Sequence, residues 1–95
     1  MKKINKVEFT KRAANDLDKL VDNIKTRQSD KVAKDFTEDF DRVIDLIQDQ
    51  PDMFEASPKI KGTRRGLFHK YGAFLYRVFK KSIRVVTFFD TRTKQ

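Results

Sequence analysis

The sequence predicts an α+β fold, with an N-terminal strand and a helical hairpin packed on a mainly antiparallel C-terminal sheet. Three observations carry this. From residue 11 to residue 49 the apolar side chains recur at spacings of three and four, the period of an amphipathic helix. From residue 64 to residue 89 the apolar runs are short and rich in β-branched and aromatic residues, as strands are. Between these halves, residues 50–63 hold both prolines and one of the three glycines, which marks a loop. At 95 residues the chain fits a single domain, 1–95, because neither half could bury a core alone.

Taken in order, residues 4–9 alternate loosely and fit a short strand with Val7 and Phe9 on one face. Thr10 follows as a helix N-cap, its hydroxyl able to accept from the free N–H groups of the first turn. Ala13, Ala14, Leu17, Leu20, Val21 and Ile24 make one stripe along a helix over 11–26. Ser29 is the next N-cap, with Asp30 beside the positive helix end. A second stripe, Val32, Ala33, Phe36, Phe40, Val43, Ile44 and Ile47, runs to about residue 49 before Pro51 closes the helix. Met53 and Phe54 are expected to tuck onto that helix end. Three strands follow, at 64–71, 74–79 and 83–89, the last two joined across Lys80-Lys81-Ser82 as a hairpin. The two helical stripes must be buried on something, and the C-terminal sheet is the large apolar surface that remains.

The net charge of +8 is unevenly placed. Residues 1–50 hold 11 Lys/Arg and 11 Asp/Glu, whereas residues 51–95 hold 11 and 3, so the whole excess lies in the sheet half. Such asymmetry points to a phosphate-rich or otherwise anionic partner, against the alternative of a merely solvated basic surface. Without cysteine there is neither a disulfide framework nor a thiolate metal site, and with one histidine no metal or other cofactor is expected. The acids Asp35, Glu38, Asp39 and Asp41 read as the solvated face of the second helix. No apolar segment has the form of a signal peptide or the length of a membrane span, so the expected setting is cytoplasmic, with no membrane partner.

Several fragments, in order, resemble the RelE/ParE superfamily, the toxins of bacterial type II toxin–antitoxin pairs. They are Val7-Glu-Phe-Thr10, Ala14-Asn-Asp-Leu17, Phe36-x-x-x-Phe40, Ile47-x-x-x-Pro51, Arg65 with Tyr71, Leu75-Tyr-Arg-Val78 and Phe88-Phe-Asp-Thr-Arg92. The resemblance covers almost the whole chain. It implies a toxin held inactive by a cognate antitoxin. RelE-like members cleave mRNA on the ribosome, whereas ParE-like members poison DNA gyrase without chemistry of their own. The leading expectation is a metal-independent endoribonuclease acting on ribosome-bound mRNA. The alternatives are a non-enzymatic DNA gyrase poison and a non-toxic basic nucleic-acid-binding module.

Cleaving RNA through its own 2′-hydroxyl needs a base, an acid and cations for the phosphoryl charge. Arg65, His69 and Arg92 are the expected catalytic residues: Arg92 stands where the resemblance places a functional Arg of the nucleases, and Arg65 matches an Arg common in the family, whose role is either to contact phosphate or to anchor the sheet. A salt bridge from Arg92 to Asp90 is the competing role for Arg92. Lys61, Arg64, Lys70, Arg77 and Arg84 are expected to bind RNA or phosphate. Phe68, Phe74, Tyr76, Phe79, Phe88 and Phe89 are more aromatics than one sheet face need bury, so part of them is expected on the face away from the helices. There Phe74, Tyr76 and Phe88 are the expected antitoxin contacts. Two departures count against the nuclease: Ala73 stands where RelE-like nucleases carry a key Arg, and the sequence ends at Gln95 without the segment bearing their catalytic Tyr.

Overall fold

The computed structural model describes residues 4–92. Its elements are β1 (Lys6–Phe9), α1 (Lys11–Arg27), α2 (Asp30–Asp49), β2 (Arg64–His69), β3 (Gly72–Val78) and β4 (Ser82–Asp90). Both helices begin where their caps dictate. The Thr10 hydroxyl accepts from the Ala13 N–H at 3.0 Å, and the Ser29 hydroxyl accepts from the Val32 N–H at 3.1 Å.

The strands form one sheet in the order β1-β4-β3-β2. β1 runs parallel to β4, and the other pairs are antiparallel. β1 reaches only as far as the Phe9–Val85 pair. Beyond it α1 takes over the edge of β4: the Thr10 N–H donates to the Val85 carbonyl at 3.0 Å, the Thr10 hydroxyl to the Val86 carbonyl at 2.7 Å, and the Thr87 hydroxyl to Asp16 Oδ2 at 2.7 Å. Thr10 therefore starts a helix and satisfies a strand with one side chain.

A bulge in β4 decides what the sheet buries. Leu75 pairs with Thr87 and Tyr76 with Val85, which leaves Val86 as an extra residue. Alternation is reset there, so that Ile83, Val85 and Phe88 all face the helices and join the core with Phe36, Phe40, Phe68, Phe74 and Tyr76. Phe40 sits at the centre of these rings, 5.3 Å from Phe68, 5.2 Å from Phe74 and 5.0 Å from Phe88 between centroids.

The observed strands differ modestly from the expected ones. β3 begins at Gly72 because its pairing with Asp90 extends the ladder, and β2 ends at His69, after an irregularity between Leu67 and His69. Residues 50–63 form the expected loop, which folds back so that Ala56 bridges Arg64. Within it Phe54 packs against the core beside Tyr76, but Met53 stays 43% exposed rather than tucking onto the helix.

Candidate functional site

Two candidate catalytic residues, Arg92 and His69, lie against Tyr71 near the corner where β4 ends beside α1. Asp90 pairs with Gly72, whose side facing α2 is filled by Phe36 and Phe68, so Asp90 lies on the helix side of the sheet. From there it grips Arg92: Nε donates to Oδ1 at 3.0 Å and Nη2 to Oδ2 at 2.8 Å, while the Arg92 backbone N–H also donates to Oδ1 at 2.8 Å. This two-point pair is the strong form of an ion pair. It holds the Asp90 carboxyl below the usual carboxylate range, chiefly through the hydrogen bond from Arg92, and raises Arg92 further. The guanidinium lies 4.4 Å from the Tyr71 ring centre and reaches Asn23 Oδ1 at 3.4 Å. Asn23, Arg27, Asp90 and Arg92 line an open cleft of about 350 Å³.

His69 also stands beside Tyr71, with ring centres 5.3 Å apart, and against Phe36 at 5.2 Å. The Tyr71 N–H donates to His69 Nδ1 at 3.1 Å, so the neutral ring carries its proton on Nε2. In that form Nε2–H can donate a hydrogen bond, while Nδ1, the lone-pair nitrogen, is already occupied. Lys70 lies 5.2 Å from the same Tyr71 ring, and its carbonyl accepts from the Thr91 hydroxyl.

Arg65 is elsewhere. It pairs with Leu75, and Leu75 pairs with Thr87, which puts all three on the sheet face opposite Phe74 and Phe88. The Arg65 guanidinium lies 5.3 Å from the Phe89 ring centre and the Lys59 ammonium 5.8 Å from it. Ser57, Pro58, Lys59, Arg65, Leu75 and Phe89 enclose a pocket of about 200 Å³. His69 and Arg92 thus share Tyr71, while Arg65 occupies the other face of the sheet.

The five candidate phosphate contacts separate by what already holds them. Arg64 is committed to the fold, donating from Nη1 to the Phe54 carbonyl at 2.6 Å and pairing with Asp52 at 3.3 Å. Arg77 donates from Nη1 to the Lys61 carbonyl at 3.0 Å. Arg84 faces Glu8 at 3.7 Å and the Phe79 ring at 4.8 Å. The side chains of Lys61 and Lys70 are exposed.

The expected antitoxin contacts need correction. Phe74 and Tyr76 are 0% exposed and Phe88 is 4% exposed, all on the helix side: alternation along β3 turns the first two into the core, and their pairing with β4 brings Phe88 to the same face. Their side chains offer no surface to a partner that docks on the folded chain. The aromatics that do lie on the other face are Phe79 and Phe89. Asn23 and Arg27, which line the Arg92 cleft, were not identifiable from sequence, where they read as solvated helix positions. Their spacing of four, one turn apart on α1, was the available signal. Among the described residues no three His, Cys, Asp or Glu side chains gather to hold a metal ion, and no helix is long and apolar enough to cross a membrane.

A family model described as the ParE toxin of the type II toxin–antitoxin system parDE matches residues 7–94. Among solved structures the fold is similar to a chain of the chromosomal ParDE TA system from P. aeruginosa, at 20% identity and a TM-score of 0.73, covering 92% of this chain and 96% of that one. It is also similar to a chain of the E. coli DinJ-YafQ toxin-antitoxin complex, at 12% identity and a TM-score of 0.62, covering 94% of both. A third similar structure is the conserved protein HP0894 from Helicobacter pylori, at 17% identity and a TM-score of 0.55, covering 92% of this chain and 94% of that one. At these identities the structural likeness speaks for the fold. A search of curated proteins finds no match.

Proposed function

The chain belongs to the ParE toxin family of type II toxin–antitoxin systems, and from that premise we propose that it arrests growth by binding DNA gyrase rather than by cleaving ribosome-bound mRNA. The observation that carries this reading is the placement of Arg65 and Arg92 on opposite faces of one sheet. Attack by a 2′-hydroxyl needs acid, base and phosphate-binding cations within hydrogen-bond reach of a single phosphodiester. A sheet between two of the three expected groups prevents that convergence. Arg92 is further neutralised by Asp90, and His69 has its basic nitrogen engaged. A protein that acts by occupying a partner's surface has no need of convergence.

A cognate antitoxin is the second partner. Two of the similar structures belong to toxin–antitoxin systems, ParDE of P. aeruginosa and DinJ-YafQ of E. coli. An antitoxin would act here by covering the surface that binds gyrase.

The deciding experiment is controlled induction of the chain in a bacterium, with protein synthesis, mRNA 5′ ends and gyrase-linked DNA breaks followed together. DNA breaks with translation initially intact are the expected result. Immediate loss of translation, with new mRNA ends inside codons, would replace this reading with the nuclease. One observation favours that second reading: His69, Tyr71 and Arg92 form a continuous chain of contacts at one corner. In that case His69→Gln and Arg92→Gln each suppress toxicity while Arg65→Gln does not.

A further inference from the structure

The end of the sheet nearest the β3–β4 turn carries an unbalanced charge pattern that the gyrase reading leaves unused. Arg77 and Arg84 are direct cross-strand partners, on the face away from the helices. Like charges so placed oppose each other unless an anion answers them. Glu8, which pairs with Arg84 in the β1–β4 register, is shared: its carboxylate lies 3.7 Å from Arg84 and 3.8 Å from Lys6. Arg77 donates to the Lys61 carbonyl, a neutral acceptor that leaves its charge uncompensated. The exposed side chains of Lys61, Lys80 and Lys81 add to the same end.

An aromatic ring stands within this cationic row. Phe79 is 41% exposed, with the Arg84 guanidinium 4.8 Å from its centre. Its backbone is fixed, since the Phe79 N–H donates to the Ser82 carbonyl at 2.8 Å across the turn. An exposed ring on an anchored backbone, beside paired guanidinia, presents a stacking surface and a phosphate-binding surface together.

We propose that this end of the sheet binds single-stranded nucleic acid, with Arg77 and Arg84 on neighbouring phosphates and Phe79 stacked on a base. Phosphodiester groups supply the negative charge that the Arg77–Arg84 pair lacks. An unpaired base supplies the flat face that a duplex keeps hidden in its stack. The site stands apart from the Arg92 corner and from the Arg65 pocket, and it does not depend on gyrase being the target.

The test is fluorescence polarisation of a labelled oligothymidylate of about 12 nucleotides against the purified chain, from about 50 to 200 mM salt. The unmodified chain should bind the single strand more tightly than a duplex of equal length. Arg77→Gln/Arg84→Gln should weaken binding at least about tenfold and flatten the log–log salt slope by about 1.4, the value for two phosphate contacts on a single strand. Phe79→Ala should also cost about tenfold while leaving the salt slope unchanged. Because Arg77 holds the Lys61 carbonyl, Arg84→Gln alone, with its melting curve, separates lost binding from lost folding. The control Lys19→Gln/Lys34→Gln removes the same charge from the helices and should leave binding within about twofold. Three outcomes would overturn the assignment: equal losses in the control and the sheet variant, single-strand binding indifferent to Phe79→Ala, or competition by polyglutamate as effective as by the oligonucleotide.

Discussion

The Asp90 carboxylate holds the Arg92 guanidinium at two points, Nε on Oδ1 at 3.0 Å and Nη2 on Oδ2 at 2.8 Å, and so ties the end of β4 to the turn that follows it. Asp90 consequently keeps its charge to lower pH than an unpaired carboxylate. A depressed folded-state pKa contributes stability above the ordinary aspartate range, and that contribution fades as pH falls through the folded value. Carboxyl-carbon NMR titration should therefore find Asp90 below the usual range in the native chain and back towards it in Arg92→Gln. An unchanged Asp90 titration in that variant would remove the ion pair as the cause.

Tyr76 gives the opposite sign at the alkaline end. Its ring is fully buried, its hydroxyl donates to the Pro51 carbonyl at 3.0 Å, and burial pushes its pKa up to about 12, against a smaller lowering by the nearby Arg64 charge. Stability from the neutral phenol is complete below the unfolded pKa of about 10 and is lost as pH rises from there to about 12. Tyr76→Phe should cost about 1 kcal/mol at neutral pH through the lost hydrogen bond. Denaturant titrations at several pH values should also show a shallower alkaline decline in Tyr76→Phe than in the native chain.

Gly72 is required by packing. A Cβ at that position would stand 2.5 Å from Phe36 Cε1 and 2.6 Å from Phe68 Cζ. Both rings are buried, so neither can withdraw into solvent. Gly72→Ala should destabilise the fold by about 1–3 kcal/mol, the usual cost of overfilling a core. Urea unfolding measures this directly, and a neutral result would mean that Phe36 has an alternative rotamer available.

Phe40 is the ring on which the helical hairpin meets the sheet, touching Phe68 from β2, Phe74 from β3 and Phe88 from β4. Phe40→Ala should cost about 3–5 kcal/mol. For a domain of this size that is a large part of the total stability. Near-ultraviolet circular dichroism should show loss of fixed aromatic packing before the helices melt.

The bifunctional role of Thr10 can be separated by two substitutions. Its hydroxyl caps α1 by accepting from Ala13 and closes the β4 bulge by donating to Val86. Thr10→Asp keeps a capping acceptor but has no proton to donate, so it should recover only part of the loss seen in Thr10→Ala, which is about 1–2 kcal/mol. Equal stability of Thr10→Asp and the native chain, by urea unfolding, would show that the bond to Val86 contributes nothing.

The helices were legible in the sequence because what fixes them is local. The apolar stripes have the helical period, and Thr10 and Ser29 each cap a donor only three residues away. The α+β class, the loop at 50–63 and the basic sheet half followed from equally short-range patterns and from charge placement. The candidate site was read less well, because its geometry depends on register. Phe74 and Tyr76 share a face by plain alternation along β3, but whether Phe88 joins Ile83 and Val85 on that face turns on one extra residue, Val86, in β4. The parallel pairing of β1 with β4 joins residues more than seventy positions apart, beyond the reach of any local pattern. By the same rule of alternation across paired strands, Arg65 and Arg92 came to opposite faces, a separation that spacing along the chain could not reveal.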